Sequence, residues 1–179
     1  MQDGKIGTVA ALLGAPGSGK STCASWLFVN LRLNGVNCEL VGEFAKDLFW
    51  DDSNAWRDQL YVFANQWHMV DRVLRKTDVV VTDSPPILSL FYNRPHSKTF
   101  VGLVEERCSK HPSRYFLLKR SVPYDQNGRR ESESQADRLH EQMKDWLQSR
   151  SVPFTEVNSN VEGWKFILDS LLKEKANAA

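Results

Sequence analysis

The feature that most constrains this chain is the stretch from Val9 to Thr22, which reads VAALLGAPGSGKST. An apolar run stops at a glycine-rich loop, and an amphipathic segment follows the loop directly. Glycines let such a loop turn tightly and bring successive backbone N–H groups toward an anion at a helix N-terminus. The pattern therefore predicts a strand, a phosphate-binding loop and a helix in that order, a context that distinguishes a P-loop from a chance glycine turn.

Two side chains of this loop have specific expected roles toward ATP and Mg²⁺, the predicted cofactors. Lys20 is expected to reach the β- and γ-phosphates as a point charge, and the hydroxyl of Ser21 is expected to ligate the Mg²⁺ that bridges them. The predicted nucleotide-binding residues are Gly14, Ala15, Pro16, Gly17, Ser18, Gly19, Lys20, Ser21 and Thr22.

Composition narrows the remaining possibilities. With 179 residues, 41% of them hydrophobic, the chain is expected to form one domain over 1–179 and not to be disordered. A formal net charge of +1 gives no global basic field, so a large nucleic-acid footprint is not indicated. Three cysteines without C-x-x-C spacing suggest neither a disulfide framework nor a zinc site. No apolar run approaches membrane-spanning length and no signal-peptide pattern is present, so we expect a soluble cytoplasmic protein without a membrane partner.

Apolar runs alternate with helical patterns along the chain. Strands are predicted at 6–13, 36–41, 78–83, 115–119 and 153–157. Helices are predicted at 20–34, 43–50, 54–76, 98–110, 131–149 and 162–173, with a short helical piece ending near Tyr92 and a frayed tail over 176–179. The alternation predicts an α/β P-loop NTPase fold, a three-layer sandwich of a five-stranded parallel sheet with helices on both faces and a short lid over about 120–131. Ligands of such sheets bind beyond the carboxyl ends of the strands.

Two acidic residues follow predicted strands. Asp83 ends the run DVVVTD and is expected to serve as a magnesium partner or catalytic acid, because a hard cation beside phosphates needs anionic oxygen. The segment TDSPP also fits a plain helix N-cap. Glu43, in VGEFAKDL, is expected to orient or deprotonate a hydroxyl acceptor, since a phosphate acceptor would need cations there instead. The alternative is that Glu43 only complements a helix dipole.

The segment KRSVPYDQNGRRESES, after the fourth predicted strand, holds Lys119, Arg120, Arg129 and Arg130 around a glycine-containing turn. Such a segment can close over a nucleotide and place Arg129 and Arg130 on the transferring phosphoryl group, or it can be a solvated loop.

Large apolar side chains recur at helical spacing in WRDQLYVFANQW and form a stripe. They can pack in the core, or they can line a pocket for a flat base whose edge Gln59 or Gln66 would read. The stripe consists of Trp56, Leu60, Phe63 and Trp67.

These motifs resemble the P-loop kinase superfamily, in the branch with thymidylate, deoxynucleoside and ribosylnicotinamide kinases, and the resemblance covers most of the chain. GEFAKDL is similar to the Glu-(Tyr/Phe)-Ala-(Arg/Lys) segment of ribosylnicotinamide-type kinases. DQLYVFANQ, VVVTDSPPILSLFYN and YDQNGRRESESQAD resemble small kinases of tailed bacteriophages, some of which phosphorylate 5-hydroxymethyluracil in DNA during thymidine hypermodification. The resemblance implies an ATP loop, a magnesium or catalytic acid at Asp83 and lid arginines at Arg129 and Arg130, in the host cytoplasm if the chain is phage-encoded. TDSPP departs from the family in carrying prolines where a DR arginine would stand, which disfavours a monophosphate acceptor.

Three functions are compatible with the sequence. The leading interpretation is an ATP-dependent phosphotransferase acting on a hydroxyl of a nucleoside-like group, with 5-hydroxymethyluracil in phage DNA as the favoured acceptor. The second is a deoxynucleoside or nucleoside monophosphate kinase acting on free substrate. The third is a P-loop ATPase that acts as a switch without phosphorylating an acceptor. The sequence leaves the acceptor and the oligomeric state open.

Overall fold

A computed structural model of the chain describes residues 6–92, 95–121, 123–124 and 132–177. Within these residues the chain forms one five-stranded sheet in which every neighbouring pair is parallel, in the order β2-β3-β1-β4-β5. The strands are β1 (Thr8–Leu13), β2 (Cys38–Val41), β3 (Val79–Thr82), β4 (Ser113–Arg120) and β5 (Phe154–Ser159). The predicted fold class is confirmed.

Helices connect the strands, as parallel pairing requires. The α-helices are α1 (Lys20–Leu33), α2 (Phe44–Trp50), α3 (Gln59–Leu74), α4 (Lys98–Cys108), α5 (Glu133–Ser149) and α6 (Val161–Asn177). Short 3₁₀ helices lie at Asn54–Arg57 and Pro86–Leu90. No helix among the described residues is long and apolar enough to cross a membrane.

The sheet is buried between two helical layers, which accounts for its nearly continuous apolar strands. On one face, Ala10 and Leu12 of β1 pack with residues of α1 and α6 such as Leu27 and Ile167. On the other face, neighbouring β1 residues such as Leu13 pack with side chains of α3, α4 and α5. The alternation of side chains along a strand therefore divides the core into two parts, one on each side of the sheet.

The prediction of one long helix over 54–76 is wrong, because the helix is interrupted at Asp58. The Asp58 carboxylate accepts hydrogen bonds from the backbone N–H groups of Leu60 and Tyr61, at 3.0 and 3.2 Å, and so starts α3. The preceding residues form a separate 3₁₀ turn that the Ser53 hydroxyl caps. The helical pattern continued through this point, but a side-chain cap competes with the helix for the same backbone donors.

Smaller boundary differences occur where pairing or capping decides the ends. β4 spans eight residues, beyond the predicted 115–119, because it pairs with both β1 and β5. The predicted first strand begins two residues later than expected, at Thr8. The last helix runs to Asn177, so the part of the predicted frayed tail that the structure describes is helical.

Candidate active site

The strand order brings three loops together at the carboxyl edge of the sheet. The P-loop follows β1, the Glu43 loop follows β2, and Asp83 directly follows β3. Because β3 lies between β2 and β1, Asp83 leaves the sheet between the other two loops. The topology therefore places the predicted donor-side residues next to the predicted acceptor-side carboxylate.

Two glycines of the P-loop lie where a side chain would be strained, Gly14 for lack of space and Gly19 because of its backbone conformation. A Cβ atom on Gly14 would lie 2.4 Å from Ser18 Oγ and 2.9 Å from the Leu118 carbonyl oxygen. Gly19 adopts the left-handed conformation, with φ of 80°, immediately before α1 begins. Between them, the Ser18 N–H donates to the Ala15 carbonyl at 3.1 Å and closes a tight turn. The turn brings the loop to the N-terminus of α1, where free backbone amides favour an anion.

Lys20 and Ser21, the first two residues of α1, make the polar contacts of the loop. The Lys20 ammonium donates to the carbonyl oxygens of Gly14 and Ala15 at 2.8 and 3.1 Å, so it lies across the loop. The Ser21 hydroxyl donates to Asp83 Oδ2 at 2.5 Å. The structure thus brings together the two residues predicted to hold magnesium, although they are 62 positions apart. Thr22, also in the predicted nucleotide-binding set, is exposed on the same turn of α1.

The donor atoms at Ser21 and Asp83 fit a hard divalent cation. Asp83 is only 7% exposed, and its buried Oδ1 has no hydrogen-bond partner in the part of the chain that the structure describes. A buried carboxylate oxygen with an unused lone pair is costly unless a ligand, water or ion completes it. No group of three or more His, Cys, Asp or Glu residues that could hold a metal occurs within the described ranges. Mg²⁺ needs no such cage, because phosphates and water supply most of its ligands.

Glu43 lies at the start of α2 but does not cap it. Its backbone is extended, and its carboxylate makes no capping hydrogen bond, so its side chain is not used to stabilise the helix end. Burial raises the pKa of Glu43. The positive charges of Lys20 and Lys46 act to lower this pKa, and the negative charges of Asp83 and Asp47 act to raise it further. Lys20 and Asp83 are thus close enough to Glu43 for their charges to act on its pKa.

Gln66 does not read a base edge, which corrects one expectation from the aromatic stripe. Its side chain is in the core, with the residue 2% exposed. Its Oε1 accepts the Phe44 N–H at 2.9 Å, and its Nε2 donates to the Gly42 carbonyl at 2.9 Å. The amide therefore binds the backbone on both sides of Glu43. Sequence reasoning missed this role, although a polar residue between the buried positions Phe63 and Val70 was a signal.

The rest of the stripe divides between core and surface. Phe63 is buried at 3% exposure, and the Trp67 ring is stacked on His111 with an interplanar angle of 6°. Leu60 is 55% exposed, at the edge of a cavity of about 500 Å³ between the start of α3 and the start of α4. Both helices begin at the carboxyl edge, because each runs directly into a parallel strand. This cavity therefore lies at the same edge of the sheet as the P-loop.

The predicted lid arginines, Arg129 and Arg130, and most of the predicted lid over 120–131 lie outside the described residues. At the near end of that segment, Arg120 donates to Glu133 and to Asp137, both at 2.6 Å. A second cavity, of about 240 Å³, lies between the P-loop, the end of β4 and α5. It is lined by Ala15, Pro16, Ser18, Lys119, Arg120, Ala136, Asp137, His140 and Glu141.

Comparisons with known proteins agree with this architecture. Residues 9–163 match a family model described as an AAA domain. The solved structures that match include a thymidylate kinase from Ehrlichia chaffeensis, with a TM-score of 0.59, 14% sequence identity, and coverage of 93% of this chain and 98% of that chain. No curated protein matches the chain. At 14% identity, the likeness to the thymidylate kinase shows a shared P-loop kinase-like fold.

Proposed function

The chain belongs to the AAA domain family, and from that premise we propose that it is an ATP-dependent kinase that phosphorylates a hydroxyl group of a nucleoside-like acceptor. One observation carries the proposal: Glu43, whose carboxylate does not cap α2, follows β2 at the edge of the sheet where the P-loop lysine Lys20 and the buried Asp83 also lie. Phosphoryl transfer needs a phosphate cradle, a metal-binding oxygen and a group that positions the acceptor. These three kinds of group converge at this edge of the sheet.

On the donor side, the backbone amides from Ala15 to Lys20 would hold the β- and γ-phosphates of ATP. The Lys20 ammonium would exchange its loop carbonyl partners for phosphate oxygens, which carry more negative charge. Ser21 and Asp83 would hold Mg²⁺, which when bound neutralises charge on the phosphates. Arg129 and Arg130 are the proposed source of positive charge on the transferred group.

On the acceptor side, Glu43 would accept a hydrogen bond from the attacking hydroxyl and take its proton. A general base works best when its pKa lies near the operating pH. Burial moves the pKa of Glu43 in that direction, since it disfavours the charged carboxylate. The nearby charges of Lys20 and Lys46 act in the opposite direction and favour the charged carboxylate.

The charges at this site favour a hydroxyl acceptor over a phosphate acceptor. A monophosphate beside Glu43 would meet three negative side chains, those of Glu43, Asp83 and Asp47, against the ammonium groups of Lys20 and Lys46. Like charges held this close to one another are destabilising.

Within this proposal we favour 5-hydroxymethyluracil in DNA as the acceptor, and a phage origin of the chain. The support is the resemblance of three segments to the phage kinases and the need of that substrate for a hydroxyl-directed base. The cavity of about 500 Å³ at the start of α3 and α4 lies within the range of volumes of small-molecule sites. An extruded base would need only this local site, which is compatible with the low net charge of +1.

Transfer of labelled γ-phosphate from ATP tests the proposal. The acceptors are thymidine, thymidine monophosphate, plain DNA and DNA that contains 5-hydroxymethyluracil. We expect label in the modified DNA only, and none with the Lys20→Ala variant, whose fold is checked by circular dichroism. Label in thymidine monophosphate would support a precursor kinase instead. ATP hydrolysis without label in any acceptor would support the switch and refute the kinase.

A further inference from the structure

Glu43 is carried by a loop with little local support. The strand before it, β2, is at the edge of the sheet and pairs with β3 alone. Gly42 precedes Glu43, and a Cβ atom at Gly42 would meet nothing within 4 Å, so there is open space on that side of the backbone. The Glu43 side chain does not cap α2, so it does not itself fix the position of this loop.

The support comes from α3, through Gln66. Its amide spans the loop, accepting from the N–H of Phe44 and donating to the carbonyl of Gly42, both at 2.9 Å. These are the two residues that flank Glu43. The Phe44 N–H is the first amide of α2, one of the donors that a helix cannot satisfy within itself. Gln66 therefore replaces the missing side-chain cap with a bond from a different helix.

The position of Gln66 on α3 is otherwise apolar. Phe63 and Val70, three residues before and four residues after it, are buried in the core. An amide in such a position is costly unless its hydrogen bonds are satisfied, and a leucine or methionine would fill the space without that cost. The core around Gln66 also fixes its rotamer, so the loop is tied to a rigid element.

We propose that Gln66 is a positioning residue that holds the Glu43 loop, and so fixes the carboxylate toward the acceptor hydroxyl. The inference rests on the proposed function for its catalytic consequence, but the clamp itself is a property of the free protein. Gln66 has no direct contact with the acceptor in this proposal. Its effect on transfer passes entirely through Glu43.

Hydrogen exchange of single amides, measured by NMR on the free protein, tests the clamp without any substrate. The variant is Gln66→Met, which keeps the length and helix propensity of the side chain and removes its hydrogen bonds. We expect the Phe44 amide to exchange roughly 10-fold faster, with little change at the centre of α3. Val70→Ala is the matched control, because it removes packing from the same helix without touching the loop and should not single out Phe44.

A double-mutant cycle tests whether the clamp acts through Glu43. With ATP and DNA containing 5-hydroxymethyluracil, Gln66→Met should lower kcat by about 10²-fold and leave KM for ATP unchanged. In the Glu43→Gln background the same change should cost less than about 2-fold, because the positioned group is already lost. A general structural role would give the same loss in both backgrounds, and it would appear with Val70→Ala as well.

The outcomes separate the two proposals. An unchanged Phe44 amide in Gln66→Met refutes the clamp whatever the kinetics show. Faster exchange of the Phe44 amide, together with an equal loss of kcat in the wild-type and Glu43→Gln backgrounds, refutes positioning through Glu43. Absence of transfer by the wild-type protein refutes the proposed function, while hydrogen exchange still decides the clamp. If Gln66→Met does not fold, Gln66→Asn takes its place, since its amide is one methylene too short to reach both backbone groups.

Discussion

Alanine at Gly163 is expected to destabilise this protein, although Gly→Ala in a helix usually does the opposite. Gly163 is the third residue of α6, and its N–H donates to Asn160 Oδ1 at 2.9 Å. A Cβ atom there would lie 2.0 Å from the Asn158 carbonyl oxygen and 2.7 Å from Val157 Cγ1. The nearest obstacle is backbone of β5, which has no rotamer that could move it out of the way.

The expected magnitude follows from two opposing effects. The helix propensity of alanine gives up to about 1 kcal/mol in its favour. Relief of a 2.0 Å approach requires α6 to move away from β5 by more than an ångström, and overpacking of this kind costs about 1–3 kcal/mol. We expect a net loss of about 1–2 kcal/mol in the free energy of unfolding, which lowers Tm by about 2–8 °C for a chain of this size.

Gly102 provides the matched control. It lies within α4, is exposed, and has no atom within 4 Å of the site a Cβ would occupy. Gly102→Ala should therefore stabilise the protein by about 0.5–1 kcal/mol. Urea unfolding of both variants, followed by circular dichroism, measures the difference. A Gly163→Ala variant as stable as Gly102→Ala would refute the steric argument.

The strain in Gly163→Ala should also reach the nucleotide site. Asn158 is followed by Ser159, whose Oγ would lie 2.8 Å from a Cβ atom on Gly19 in the P-loop. Displacement of this strand end should therefore weaken ATP binding in Gly163→Ala and not in Gly102→Ala. Titration calorimetry with ATP distinguishes the two variants, and equal affinities would show that the strand end moves independently of the loop.

Three further predictions concern ionisable groups. Because burial raises the pKa of Glu43, the stability that this group contributes is present at low pH and is lost as pH rises above its usual 4.5. Glu43→Gln should thus raise the free energy of unfolding at pH 7 while it slows transfer by roughly 10²-fold or more. A hydrogen bond from Lys144, and a second from His140, lower the pKa of Glu156, so the wild-type protein should lose stability as pH falls below 4.5. In urea titrations this loss should be smaller for Glu156→Gln. Burial raises the pKa of the Cys23 thiol to about 12, and iodoacetamide at pH 8 should modify Cys23 only after unfolding.

The sequence predicts well those parts of the structure that are formed by consecutive residues. The P-loop needs only the segment from Gly14 to Ser21, because its turn, its amides and its lysine are neighbours in the chain. The strands are equally visible, since a parallel sheet covered on both faces requires apolar runs. The interruption of the helix at Asp58 is not visible in the sequence, because the helical pattern continues through it. The interruption depends on the Asp58 carboxylate, which accepts hydrogen bonds from the backbone of Leu60 and Tyr61 and so starts a new helix.

Contacts between distant segments could not be predicted in the same way. The sequence predicts that Gln59 or Gln66 reads a base edge, because an amide can donate and accept together, but the partners of Gln66 are backbone groups 22 and 24 residues away. Arg120, at the start of the predicted lid, donates to Glu133 and Asp137 of α5, partners that the sequence does not indicate. In both cases the residue type was informative about hydrogen bonding, while the partner depended on how helices pack against the sheet.

This contrast bears on how a site of this kind changes its acceptor. The phosphate-binding loop of the donor side is encoded locally, so it is retained as long as the P-loop sequence is. Under the proposed function, the acceptor side is assembled from the end of β2, α2 and the middle of α3, with one glutamine joining them. A substitution at Gln66 would then alter the geometry toward the acceptor while ATP binding persists. ATP hydrolysis without transfer is the expected phenotype of a broken clamp, and it is the behaviour that would otherwise be attributed to a nucleotide switch.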